Sequence, residues 1–134
     1  MRSILLIILA AMIPAVVTAE RSDEAQKAGE DWLSLLDSQN YSESWNQASA
    51  MFRNQVKEED WIASLKRFRD PLGAMASRNP HPRLDFTKTL RGAPDGDYAI
   101  FHFKTAFKNK ADVTERLTMV LEDGRWRASA YAIH

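Results

Sequence analysis

The sequence predicts an α+β domain in which three N-terminal helices pack on one face of a curved, four-stranded antiparallel meander sheet. Three observations lead there. Between residues 25 and 68 the apolar side chains recur at helical spacing, and from 97 onward the chain reads as three runs of strand formers. The runs are separated by Lys108-Asn109-Lys110 and by Asp123-Gly124. Such turns join antiparallel neighbours, because parallel strands need a long crossover.

In the first helix Ala25, Ala28, Trp32, Leu35 and Leu36 share a face. Ser22 or Asp23 is placed to cap its start, and Asp37-Ser38-Gln39-Asn40 ends it. Asn40 with Glu43 three residues on resembles a capping box for a second helix, whose Tyr41, Trp45, Ala48 and Phe52 would lie together. The third helix has Glu58, Glu59 and Asp60 in its first turn and Lys66, Arg67 and Arg69 in its last. That charge order suits the helix dipole. Its apolar stripe is Trp61, Ile62, Leu65 and Phe68, and Pro71 with Gly73 stops it.

The strands are expected at roughly 75–91, 97–107, 112–122 and 125–133. Asn79-Pro80-His81-Pro82 interrupts the first, and prolines belong on an edge or at a bulge. On the last, strict alternation puts Trp126, Ala128, Ala130 and Ala132 on one face and Arg125, Arg127, Ser129, Tyr131 and Ile133 on the other. An alanine row fits where bulky helix tryptophans press across the core.

Residues 1–19 read as a signal peptide. Arg2 precedes an apolar run from Ile4 to Ile13, Pro14 follows, and Val17-Thr18-Ala19 offers a cleavage site before Glu20. The run is short for a membrane span of about 20 residues. No cysteine follows it for lipid attachment. Residues 20–134 are then a single extracytoplasmic domain, periplasmic or secreted, without a membrane span after cleavage. The absence of cysteine also excludes disulfides, thiolate metal sites and thiol redox chemistry. Acidic and basic residues are equal in number at 18 each. That balance lacks the basic footprint of a nucleic-acid binder.

Motifs for chemistry are sparse. His81, His102 and His134 lack the spacing of metal ligands, so no metal is expected. There is no Gly-x-Ser-x-Gly elbow and no Ser-x-x-Lys pair. Glu115 stands out because it shares a strand face with Val113, Leu117, Met119 and Leu121. A carboxylate in an apolar row must be paired if that face is the core, or reach water at the strand end. Arg78 and Arg69, in the connection from helices to sheet, are its candidate partners, making a buried polar cluster of Arg69, Arg78 and Glu115.

Several segments together resemble one family. They are Asp31-Trp32-Leu33 with Tyr41, Ser44 and Trp45; Pro71-Leu72-Gly73 with Ser77-Arg78; and Gly92 through Tyr98. Phe107-Lys108-Asn109-Lys110 with Glu115, and Gly124-Arg125-Trp126-Arg127 with Tyr131, complete the set. This resembles the secreted bacterial proteins grouped as domain of unknown function 4019, over roughly residues 23–134. Asn79-Pro80-His81-Pro82 departs from the pattern. The resemblance implies a layout similar to the nuclear-transport-factor-2-like and cystatin-like folds, which host enzymes, ligand binders and inhibitors alike.

The expectation is therefore a non-catalytic module that binds a small apolar ligand or another envelope protein and needs no cofactor. Trp32, Trp45, Trp61, Tyr98 and Tyr131 would line any cavity. The alternatives are a small isomerase or hydrolase using Glu115, Asp85 or Asp97 as base beside a tyrosine, and a cystatin-like inhibitor or assembly module working through its sheet edge.

Overall fold

A computed structural model describes residues 14–134, with side chains from Glu20 onward. The expected signal segment, residues 1–19, lies outside the described side chains, and 1–13 lie outside the described backbone. Helices come first and strands follow: α1 (Pro14–Asp37), α2 (Tyr41–Gln47), α3 (Ala50–Gln55) and α4 (Glu58–Phe68), then β1 (Met75–Pro80), β2 (Asp85–Thr87), β3 (Tyr98–Phe107), β4 (Lys110–Glu122) and β5 (Arg125–Ile133). The helices pack against a wholly antiparallel sheet of order β1-β3-β4-β5, with β2 also on β3.

Four helices among the described residues replace the expected three. The second expected helix breaks at Ala48, whose backbone is extended, and Ser49 then caps α3 by accepting from the Phe52 N–H at 3.1 Å. The cause is tertiary. The Ser49 N–H donates to the Ala128 carbonyl at the edge of β5 (2.8 Å), a bond that a continuous helix would forfeit. Two capping expectations fail as well. Asn40 makes no side-chain capping bond. Helix α1 passes through Ser22 and Asp23 without a cap, because it begins upstream at Pro14. By contrast α4 has the expected acidic start and basic end.

Five strands replace the expected four because the first is cut in two. β1 pairs with the Phe103–Phe107 half of β3 and β2 with the Tyr98–Ile100 half. Pro82 and its neighbours fill the gap, where proline donors would be missing from a ladder. Asp123 and Gly124 both take positive φ (50° and 77°), as the tight β4–β5 hairpin requires. Gly73 (φ 78°) serves differently: a Cβ there would come within 3.0 Å of the Asn109 side chain. That close approach lets Asn109 donate to the Leu72 and Pro71 carbonyls, fastening the end of the helical half to the β3–β4 turn.

The covered face of the sheet carries Ala99, Phe101 and Phe103 of β3 with Leu117 and Met119 of β4. Ala25, Trp32, Leu33 and Leu36 of α1 close over it. Gly29 permits this approach, since a Cβ on it would meet Leu117 Cδ2 at 3.1 Å. On β5 the simple alternation does not hold. The register slips between Thr118 and Met119 of β4, which face Ala130 and Ala128, so Ser129 is an extra residue. A bulge moves every later side chain to the other face. Ala128 stays buried, but Ala130 turns outward and Tyr131 turns inward to meet Trp32 and Trp61, with ring centroids 5.8 and 6.4 Å away. The expected alanine row is thus broken, and a tyrosine takes its place in the core.

Candidate functional site

Glu115 is fully buried on the helix-facing side of β4, opposite Phe103 of β3 and Ile133 of β5. Three donors hold it. Arg78 Nε reaches Oε1 at 2.7 Å, Thr105 Oγ1 reaches the same oxygen at 2.5 Å, and the Tyr131 hydroxyl donates to Oε2. Arg78 also spans Asp37, with Nη1 and Nη2 at 2.7 and 2.9 Å from its two oxygens.

Arg69 does not contact Glu115 through a hydrogen bond. It donates instead to Asp37 Oδ1 at 2.5 Å and to the Leu36 carbonyl at 2.8 Å, while lying 5.2 Å from the Phe107 ring centroid. Both bonds go to the C-terminus of α1, where carbonyls lack intrahelical partners and a cation is favoured. Its Nε is buried without a partner among the described residues.

Two carboxylates and two guanidiniums therefore form a neutral cluster joining α1, the end of α4, β1 and β4. Burial alone would lower the pKa of Arg78, but hydrogen bonds to Asp37 and Glu115 outweigh it and raise the value. Burial, then the charge of Glu115 and the hydrogen bond to it, hold the Tyr131 phenol well above its ordinary range. Near the same corner Tyr41 donates to Asp70, and burial followed by that bond pushes its pKa up to about 12.

The aromatic residues expected around a cavity separate into three groups. Trp32 is core, its Nε1 donating to the Ser44 carbonyl at 2.9 Å, and Trp45 is half-buried with Nε1 on the Val56 carbonyl at 2.7 Å. Tyr98 sits on the opposite sheet face and donates to the Pro94 carbonyl at 2.5 Å, pinning the loop before β3. Trp61 and Tyr131 line an open cleft of about 420 Å³ between α4 and the end of β5. Leu65, Phe68, Leu72 and Ile133 supply its other apolar walls, with Lys110, Arg69 and His134 as basic members. Phe68 is 62% exposed, with the Arg67 guanidinium 5.1 Å from its ring centroid.

The remaining candidates do not converge. Asp85 pairs with its exposed neighbour Arg83, and Asp97 with Lys88 and Arg21, whose hydrogen bonds hold its carboxyl below the ordinary value. His81 accepts from the Arg83 N–H, His102 lies mid-strand on β3 and His134 ends the chain. Among the described residues no group of three or more His, Cys, Asp or Glu is placed to hold a metal, and no helix is long and apolar enough to cross a membrane.

Sequence reasoning missed Asp37 and Thr105. Asp37 reads as a helix terminator, although an acid in the last turn of a helix opposes the dipole and so signals a cationic partner. Thr105 follows Ala99, Phe101 and Phe103 in the buried row of β3, an apolar row in which a hydroxyl marks a polar neighbour.

No curated protein and no solved structure matches the chain. The model of one family, described as "Protein of unknown function (DUF4019)", matches residues 28–131.

Proposed function

Because the chain belongs to the DUF4019 family of proteins of unknown function, its own geometry carries the functional reading, and we propose that it is a non-catalytic binding module of the cell envelope. One contrast supports this. The carboxylate best suited to acid–base work, Glu115, is 0% exposed with both oxygens occupied, whereas the cleft bordered by Trp61, Phe68 and Tyr131 opens to solvent, with Phe68 exposed on its rim. A general base must come within hydrogen-bond reach of a ligand proton. Glu115 reaches only its own donors. An open apolar cleft of about 420 Å³ instead falls in the usual size range of ligand pockets. The order of helices followed by an antiparallel sheet also supports a nuclear-transport-factor-2-like or cystatin-like layout, which hosts enzymes, ligand binders and inhibitors alike.

The anionic dye anilinonaphthalenesulfonate tests the cleft. Saturable fluorescence enhancement is expected with the native protein. Ser64→Trp, which fills the cleft from its exposed rim, should weaken it at least five-fold, by roughly 1 kcal/mol. Unchanged binding by that variant would refute the assignment. Envelope location rests on the segment before Glu20, and N-terminal sequencing of exported protein is expected to start at Glu20. An intact Met1 on the exported protein would disprove it.

A further inference from the structure

The cleft beside α4 has a counterpart. On the other side of β5 a groove of about 400 Å³ runs between α3 and the loop before β3, and its lining includes Arg91, Arg116, Ala130 and Ala132. Tyr131 and Ala132 border both. What separates the two hollows is the last part of β5 itself.

Among the described residues that part of β5 is a free sheet edge. Upstream, the Ser49 N–H closes the edge by binding the Ala128 carbonyl. Downstream, His134 and Thr114 exchange both backbone bonds, at 2.7 and 2.9 Å. In an antiparallel ladder alternate residues face the partner strand. Ala132 and Ala130, opposite Arg116 and Thr118, therefore point their backbone groups at β4. Those of Tyr131 and Ile133 point away, and have no backbone partner there among the described residues.

From these observations we propose that an extended segment of a partner protein adds a strand to β5 at Tyr131 and Ile133, placing apolar side chains in the cleft beside α4 and acidic side chains in the groove of Arg91 and Arg116. The proposal rests on the reading of that cleft as a binding site and names its occupant. Side chains of an added strand alternate between the two faces of the sheet. Those level with Tyr131 and Ile133 enter the aromatic cleft. Those level with Ala130 and Ala132 enter the groove, where two methyl groups leave depth for a longer side chain. Arg91 and Arg116 are exposed, and among the described residues neither makes an ion pair. A carboxylate from outside complements them. A second copy of this chain does not, because its own β5 would present Ala130 and Ala132 to those arginines.

The probe is a capped octapeptide of alternating leucine and glutamate, titrated into the purified protein by NMR. Binding should slow hydrogen exchange of the Tyr131 and Ile133 amides at least ten-fold. N-methylation of the peptide backbone at the alternate positions that face β5 should weaken binding at least ten-fold, and N-methylation of the other set should not. Arg116→Glu should reverse the preference, so that an alternating leucine–lysine peptide binds more tightly than the glutamate one. Equal binding of both N-methylated peptides, protection elsewhere on the molecule, or no binding at millimolar peptide would overturn strand addition. So would a doubled mass by light scattering with Tyr131 and Ile133 already protected in the absence of peptide, since a second copy would then hold the edge. If the dye binds the cleft and the peptide fails, strand addition alone falls; if the dye fails too, the cleft falls with it.

Discussion

Arg78→Met is expected to destabilise the protein by about 3–5 kcal/mol, the cost of leaving a buried charge unpaired. The single guanidinium serves two carboxylates, and removing it strips Glu115 of its one direct ion-pair partner among the described residues and Asp37 of two hydrogen bonds. Glu115→Gln should cost less, about 1–3 kcal/mol, because an amide still accepts from Thr105 and needs no counter-charge. The two changes share partners and should not be additive. Combining Arg78→Met with Glu115→Leu should recover part of the loss of Arg78→Met alone. Urea unfolding of the variants measures all of this. A loss below about 0.5 kcal/mol for Arg78→Met would mean that water already serves the cluster.

Trp32→Ala should be comparably severe, at about 3–5 kcal/mol. Its ring lies between α1 and the sheet at 4% exposure, with Trp61 and Tyr131 centroids 6.1 and 5.8 Å away. Neither neighbour is free to collapse into the space, because Trp61 is fixed by Ser44 Oγ at 2.9 Å and Tyr131 by Glu115. Trp32→Phe keeps most of the contact but abandons the Ser44 carbonyl, for a loss of about 1–2 kcal/mol. Thermal unfolding of the two variants orders them. If Trp32→Ala cost less than Trp32→Phe, the ring would not be the main filler of this layer.

What could be seen in the sequence was whatever depends on local chemistry. The charge order of α4, the Asp123-Gly124 hairpin and the proline-interrupted first strand are decided within a few residues. Glu115 was visible because period-two alternation puts it in an apolar row, and Arg78 because the chain must pass close by on its way into the sheet. The features that stayed hidden each depend on a distant partner. The α2–α3 break answers the Ala128 carbonyl, and the Ser129 bulge answers the need to bring Tyr131 onto Glu115. Alternation alone therefore placed Tyr131 on the wrong face, and with it the aromatic wall of the cleft. Arg69, the other candidate partner of Glu115, lies in the same connection, but its hydrogen bonds tie it to the end of α1.

The cut in the edge strand has a consequence for assembly. Repeated end-to-end growth of a sheet needs two usable borders, one to donate and one to receive. Here the borders are unlike. One offers Tyr131 and Ile133, while the other is divided into β1 and β2 with Pro80 and Pro82 at the division. A strand laid on β5 therefore meets, at the far side, a border of different make-up that is interrupted after Pro80. Unlike borders of this kind disfavour repeated head-to-tail addition, since the interrupted one presents prolines where a further strand would need ladder donors.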